Sequence, residues 1–263
     1  MDLSRALNAP FKDRDWVVKV LLGGLWGLLI VTIPAQLGAM MAYVRSVAND
    51  DESLPAWSNF GSKWVSGFLL LVGTTIYMLP AIVLSGVIMA GAAAAIASQD
   101  PYAAAAVAGT GLLLGLLSLI WMIVASLPLS AAMVNYSITG QFSSMFAIGY
   151  LIKLIRSRTG FFKAWGLSLL IGVVAGITVS ALSMLLIGYI LAPWIYFLSY
   201  IFSAHLFGQW AKAAMSLGQA DGQVNPPAPP PAPFVAPQAP PPEPAPPATP
   251  APPEEPKPPS PPQ

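Results

Sequence analysis

Charged residues are almost absent from the middle of this 263-residue chain. Between Lys63 and Lys153 the sequence contains one charged residue, Asp100, and between Lys163 and Lys212 it contains none. Four charge-free runs result, and each exceeds the ~20 apolar residues that a helix needs to cross ~30 Å of hydrocarbon. They are residues 20–44, 64–99, 101–152 and 164–211. The sequence therefore predicts an integral membrane protein.

The composition excludes several classes of function. Hydrophobic residues make up 56% of the chain and charged residues 9%, against roughly 25% charged residues in soluble domains. The net charge of +1 gives no reason to expect nucleic acid as a partner. The absence of cysteine excludes disulfides, thiolate catalysis and iron–sulfur ligation. The mixed charges at the start of the chain do not form a cleavable signal, so we expect the first apolar run to be retained.

The basic residues favour one topology over another. If the first three runs each crossed once and the last run twice, four basic residues would lie on one face and eight on the other, with the first four on the wrong side for the positive-inside rule. All twelve become cytoplasmic if residues 20–44 form a hairpin of two short helices broken near Ile33 and Pro34. We therefore predict an all-α, polytopic transmembrane helical bundle with a broken or re-entrant first element, about four full spans and both termini in the cytoplasm.

An alternative topology keeps residues 20–44 as a full span. It splits residues 64–99, which contain Pro80, into two crossings, although 36 residues barely supply two spans of ~17 residues and a turn. The sequence alone leaves open whether residues 20–44 cross fully or re-enter.

Two segments are predicted to form short interfacial helices. From Trp57 to Phe68, aromatic and glycine residues recur at three- and four-residue spacing opposite polar ones, and Pro55 suits a first helical position. Residues 142–158 show a weaker stripe of the same kind. Such stripes are typical of helices that lie on the membrane surface.

Short motifs along the chain resemble those of a known family, in the same order. They are Pro10-Phe11-Lys12-Asp13 followed by Trp16, Leu54-Pro55-Ala56-Trp57 leading to Gly67-Phe68, Tyr77-Met78-Leu79-Pro80, residues 135–140 and residues 204–211. Over residues 1 to about 215 the chain resembles the prokaryotic membrane-protein family catalogued as domain of unknown function 4013. The resemblance implies a bacterial or archaeal plasma-membrane bundle, and it implies no activity and no catalytic residue. More loosely, the chain is similar to the multi-helix membrane domain fused to some glycerophosphodiester phosphodiesterases, without their catalytic domain.

Polar residues within the apolar runs are few. His205, the only histidine, and Asn135 are the candidate intramembrane polar site. One histidine cannot build a two-histidine haem or zinc site, so a neutral, hydrogen-bonded packing role is favoured for His205. The pattern Asp13-Arg14-Asp15 has the form of a cation site, but a cap by Asp15 on a helix starting at Trp16 explains it better. We predict no metal, cofactor or catalytic site.

Small residues spaced four apart predict close helix contacts. The motifs are Gly23-x-x-x-Gly27, Gly111-x-x-x-Gly115 and Gly172-x-x-x-Gly176. Packing within one chain is the favoured interpretation, and a homo-oligomer face is the alternative.

Four prolines interrupt apolar stretches, either as kinks or as the broken helices of a transporter; they are Pro34, Pro80, Pro128 and Pro193.

The end of the chain has a different character. Residues 226–263 contain 21 of the 28 prolines, a composition that favours polyproline II and forms no core. We therefore predict a polytopic membrane domain at residues 1–217 and a disordered, proline-rich cytoplasmic tail at residues 218–263. At ~3.1 Å per residue, the extended tail would reach on the order of 100 Å, far enough to bind a soluble protein partner. A passive spacer is the alternative.

Catalytic signatures such as a Walker loop, a G-x-S-x-G elbow or an H-E-x-x-H pair are absent, so we expect no enzyme activity. The favoured function is a non-enzymatic scaffold or accessory subunit in the lipid bilayer of the prokaryotic plasma (inner) membrane. The alternative is a carrier or channel for an apolar or zwitterionic solute or a lipid. That function would need a cavity lined by the polar side chains of the spans, which include Thr74, Thr75, Tyr77, Ser126 and Asn135.

Overall fold

The computed structural model describes residues 2–156 and 160–220, with side chains through residue 215. The α-helices in this part of the chain are α1 (Leu3–Lys12), α2 (Trp16–Gly27), α3 (Ile33–Ala48), α4 (Phe60–Ser98), α5 (Pro101–Thr139), α6 (Ile148–Arg156), α7 (Phe161–Ser183) and α8 (Ile187–Ala220). Two 3-10 turns, Ile30–Thr32 and Phe142–Phe146, lie between them. The predicted all-α fold is confirmed. The tail from residue 221 lies outside the described residues.

Four long helices form two antiparallel hairpins, α4 with α5 and α7 with α8. In the first, Trp121 Nε1 donates to the carbonyl of Tyr77 at 3.1 Å. In the second, the rings of Phe161 and Trp210 lie 4.9 Å apart. All four helices, and the segment Ile30–Ala48, are long and apolar enough to cross a membrane. Because α4 continues unbroken through Pro80, the alternative topology that splits residues 64–99 is wrong.

The remaining span prolines do not interrupt their helices either. Pro128 lies inside α5 and Pro193 inside α8. Proline is tolerated within membrane helices because neighbouring groups satisfy the freed carbonyl. The broken-helix arrangement of transporters is therefore not present at these positions.

The first apolar run folds back on itself as a helical hairpin, which we call the re-entrant hairpin because both of its ends lie at the same end of the bundle. Near its tip, Gln36 Nε2 of α3 donates to the carbonyl of Gly23 in α2 at 2.6 Å. At its base, Lys19 Nζ donates to the carbonyl of Leu54 at 2.9 Å, so the start of α2 and the segment after α3 lie at the same end of the bundle. The break precedes Pro34, which occupies the first turn of α3, where its missing N–H is not needed.

The helix predicted from Pro55 does not form. Residues 51–59 are irregular and α4 begins at Phe60. Asn59 adopts a left-handed conformation with φ of 57°, which a right-handed helix cannot pass through. The segment 142–156 does form short helices, a 3-10 turn and α6. Helix α1 was not predicted; its signals are the Asp2 side chain, which caps the N–H of Arg5, and apolar residues at four-residue spacing.

Charged residues gather at one end of the bundle. There, Lys212 of α8 pairs with Asp50, and the guanidinium of Arg45 donates to the carbonyl of Ser137 at the end of α5, at 2.7 Å. We call this end the loop face; it comprises α1, residues 49–59, residues 140–147 and the start of α7. The opposite end, the far face, comprises the turns at residues 99–100 and 184–186.

The helices approach most closely where α3 crosses α4. A Cβ on Gly38 would lie 1.9 Å from the carbonyl oxygen of Lys63, and a Cβ on Gly67 would lie 1.7 Å from that of Pro34. Only glycine permits such an approach of backbone to backbone. The contact places α3 between α4 and α8, where Tyr43 is fully buried.

Candidate functional site at the base and tip of the hairpin

Asp13 holds the base of the re-entrant hairpin together. Its Oδ2 accepts from Lys19 Nζ at 2.7 Å and from the N–H of Leu54 at 2.8 Å, and its Oδ1 accepts from the N–H of Asp15 at 2.9 Å. Desolvation opposes ionisation of this carboxyl, but these donors outweigh it and hold the pKa of Asp13 below its ordinary value. Both oxygens of Asp13 therefore have structural partners, and Asp13 acts as a clamp that joins the entry of the hairpin to its exit.

Asp15 does not act as predicted. It precedes α2 at the N-cap position, but its side chain makes no capping hydrogen bond. The carboxylate that joins the chain segments is Asp13, because the turn before α2 directs Asp13 rather than Asp15 toward Lys19.

His205 lies near the loop face, where its side chain has no access to solvent. Its side chain is fully buried, and the ring lies 6.0 Å from that of Tyr43. Gln209 Oε1 accepts from the N–H of Asp2 at 2.8 Å, so its Nε2 points to the carbonyl of Asp2 and to Nδ1 of His205, at 3.1 and 3.0 Å. Nδ1 is therefore an acceptor, which leaves the proton of a neutral imidazole on Nε2.

Glu52 lies on the Nε2 side of the imidazole, although His205 Nε2 makes no hydrogen bond within the described residues. Its Oε1 lies 3.4 Å from His205 Nε2 and pairs with the guanidinium of Arg5. Desolvation raises the pKa of Glu52, but the hydrogen bond and charge of Arg5, with a smaller contribution from His205, outweigh it and hold the pKa below its ordinary value. The cluster Arg5–Glu52–His205–Gln209 ties α1, the loop after α3 and α8 to one another.

The tip of the hairpin satisfies its own backbone. The hydroxyl of Thr32 donates to the carbonyls of Leu29, at 2.8 Å, and of Trp26. Trp64 Nε1 of α4 donates to the carbonyl of Val31 at 2.7 Å. Non-helical backbone at membrane depth requires such partners because no water is available there. The carbonyls of Trp26, Leu29 and Val31 are consequently engaged within the chain rather than free to coordinate an ion.

Asn135 and His205 do not form one site. The amide of Asn135 donates to the carbonyl of Ser144 at 2.9 Å, which fastens α5 to the 3-10 turn that follows it. Ser144 also shares a hydrogen bond of 2.9 Å with Thr139. Asn135 therefore shapes the exit of α5, whereas His205 joins α8 to the hairpin base.

The predicted glycine motifs are used unequally. A Cβ on Gly23 would lie 2.2 Å from the ring of Phe197, and one on Gly27 would lie 2.5 Å from the amide of Gln36 and 2.9 Å from Pro193, so this motif seats α2 on α8 and α3. A Cβ on Gly111 would only touch Ile88, at 3.7 Å. The remaining motif glycines meet no heavy atom within 4 Å, so the expected contact within the chain is not present there; they are Gly115, Gly172 and Gly176.

Sequence inspection did not identify Glu52, Gln36 or Trp64 as important. Each of them contacts a residue that is distant along the chain, or donates to a carbonyl that a helix break leaves without its helical partner. Neither kind of contact is visible in a local sequence pattern. The available signal was weak: Gln36 is one of the few polar residues within the apolar run 20–44.

Comparison with known proteins identifies the family but no activity. No curated protein and no solved structure matches the sequence. The family described as "Protein of unknown function (DUF4013)" matches residues 21–184, from the re-entrant hairpin through α7 and more than half of the chain. The chain therefore belongs to the DUF4013 family of membrane proteins.

Proposed function

We propose that this protein is a non-enzymatic membrane scaffold or accessory subunit with a proline-rich cytoplasmic arm. The observation that carries the proposal is the use of the polar groups at the hairpin: those at its tip and base are committed to hydrogen bonds that join chain segments. Polar groups that are hydrogen-bonded within the bundle hold its helices in one arrangement, as a rigid scaffold requires.

The same argument disfavours the carrier or channel. The hydroxyls of Thr74, Thr75 and Ser126 donate to carbonyls of their own helices. The hydroxyl of Tyr77 donates to the carbonyl of Met145 at 2.6 Å, which joins α4 to the 3-10 turn after α5. A transport pathway needs polar groups that remain free to bind the solute.

The placement of charge supports residence in a prokaryotic plasma membrane with the loop face in the cytoplasm. The basic residues of the helices lie near the loop face, whereas Asp100 lies in the turn between α4 and α5 at the far face. Under the positive-inside rule the basic face is cytoplasmic. In this orientation the C-terminal end of α8 is cytoplasmic, and the proline-rich tail that continues the sequence would meet soluble protein partners; the net charge of +1 gives no reason to expect nucleic acid.

The tail is the proposed partner-binding arm, and the test is affinity purification in mild detergent with and without residues 222–263. A variant in which a Gly/Ser sequence of equal length replaces residues 226–263 serves as the matched control for length. Both changes should remove the co-purifying soluble proteins and leave membrane abundance and melting temperature unchanged. Retention of every partner by the Gly/Ser variant would reduce the tail to a spacer.

A second experiment separates the scaffold from the carrier. Purified protein in liposomes should leave the flux of zwitterionic solutes and the flipping rate of labelled phospholipids at the values of protein-free liposomes. Acceleration of either process would contradict the scaffold.

Association of copies through Gly172 and Gly176 is a further prediction, which light scattering in detergent can test.

A further inference from the structure

A groove between α1, α7 and α8 opens on the lipid-facing surface of the bundle. It encloses about 390 Å³, within the range of 300–1,000 Å³ that is usual for small-molecule sites. Its α7 side runs from Leu167 to Thr178, about 16 Å at 1.5 Å per residue. Half of a ~30 Å hydrocarbon core is about 15 Å, so the groove has the length of one leaflet.

The lining of the groove selects an alkyl chain. Its two hydroxyl-bearing residues are turned to their own helices: Thr178 donates to the carbonyl of Val174 at 2.8 Å, and Ser199 to that of Tyr196 at 2.7 Å. The other lining side chains are hydrocarbon, among them Leu167 and Ile195. An occupant that required hydrogen bonds would find no free partner in this lining.

Helix α1 borders the loop-face end of the groove and carries charged residues. Leu3 and Leu7 contribute to the lining, and Phe11 packs on the groove residue Phe202 with ring centroids 6.1 Å apart. Lys12 follows directly and is exposed, and within residues 2–156 and 160–220 it has no carboxylate partner, unlike Arg5, which pairs with Glu52. Lys12 thus places a cation at the loop-face surface, one residue beyond the ring that packs on the groove residue Phe202.

We infer that this groove is a binding site for an anionic phospholipid of the loop-face leaflet, with one acyl chain along α7 and α8 and the phosphate beside Lys12. The length of the groove, its hydrocarbon lining and the unpaired Lys12 on the adjoining helix α1 each match that class of molecule. The site belongs to the membrane domain and does not depend on the proposed function of the tail.

The first test maps contacts in the full-length protein. It is reconstituted into phosphatidylcholine liposomes that contain a small fraction of phosphatidylglycerol with a diazirine in its acyl chain, irradiated, digested and analysed by mass spectrometry. Adducts on residues 167–178 and 195–202 should exceed those on the exposed α2 side chains Val18, Leu21 and Leu25 several-fold. Equal yields on all lipid-facing helices would mean ordinary solvation by lipid and would overturn the site.

Two adjacent valines provide a matched pair. Val174 lines the groove and is 54% exposed, whereas Val173 lies outside it and is 51% exposed. Val174→Trp fills the groove and should reduce its adducts several-fold, while Val173→Trp should not. Equal adduct yields in the two variants would contradict the inference, and their melting temperatures report whether the bundle is intact.

The headgroup is tested separately, with Lys153→Gln in α6 as the control for Lys12→Gln. The wild type should label with the phosphatidylglycerol probe about fivefold more than with the same diazirine on phosphatidylcholine, the preference expected from one basic residue at an anionic surface. Lys12→Gln should abolish the preference and Lys153→Gln should retain it. A wild type without preference would remove the anionic headgroup from the assignment.

Discussion

Asp13 shows how one side chain fixes the geometry of a membrane segment. Its side chain is 6% exposed, and its three donors come from both sides of the re-entrant hairpin. Asp15, two residues later, is exposed and has no capping bond. The two carboxylates therefore form a natural comparison.

Asp13→Asn should lower the free energy of unfolding by ~1–3 kcal/mol, because the amide cannot pair with Lys19 and leaves part of a buried network unsatisfied. Asp15→Asn should change it little. Thermal melting in mild detergent measures both, and equal losses would show that Asp13 is not the clamp.

Stability should also depend on pH through Asp13 and Glu52. The pKa values of both carboxyls are depressed in the folded protein, so their contribution is present above their unfolded pKa of about 4 and is lost as pH falls through the lower folded values. The contribution of these two carboxyls to the melting temperature should be constant from pH 8 to about 5 and fall below about 4. In Asp13→Asn the fall should be shallower; an unchanged profile would exclude Asp13 as a contributor.

At the scale of the elements, the crossing of α3 and α4 is the tightest contact that the structure shows between spans. Gly67→Ala places a methyl group against the backbone of Pro34 and should destabilise the bundle by ~1–3 kcal/mol or more. Gly86→Ala, in the same helix and with no atom within 4 Å, should be neutral or stabilising. Melting temperatures that move in the same direction for both variants would contradict this packing.

The motif glycines of α7 give the opposite expectation. Gly172 has open space around it, so Gly172→Leu should leave the melting temperature of a monomer unchanged. If copies associate there, the same substitution should instead shift the oligomer to monomer in light scattering. A destabilised monomer would mean that α7 packs more closely within the chain than the structure indicates.

At the scale of the whole molecule, the re-entrant hairpin and the two long hairpins return the chain to the same face each time. Helices α4 and α5 have 39 residues each, about 58 Å and nearly twice the ~30 Å hydrocarbon core, so they must tilt steeply or extend beyond it. The sidedness of the loops does not depend on that tilt.

Single cysteines in this cysteine-free chain test the sidedness. An impermeant maleimide added to intact cells should label position 100 and position 185, in the two far-face turns, and should not label positions 8 and 49 at the loop face. Labelling at position 8 but not at 49 would mean that residues 20–44 cross the membrane fully, which would contradict the hairpin.

The sequence by itself determined the membrane class, the all-α fold, the long apolar helices and the gathering of basic residues at one end. These properties follow from local composition, since lipid demands apolar side chains over a fixed length and charges avoid hydrocarbon. The re-entrant hairpin was favoured for the same reason, because a hairpin places every basic residue on one side, but the sequence alone left a full crossing of residues 20–44 open.

Only the tertiary structure decided which residues hold the hairpin. Sequence patterns favoured Asp15 as a cap and a helix from Pro55, whereas Asp13 makes the clamp and Asn59 starts α4 from a left-handed turn. His205 was correctly noticed as unusual, but its partners come from α1 and from the loop after α3. Such pairings join segments far apart in the chain, so they depend on how helices pack against one another and leave no periodic trace in the sequence.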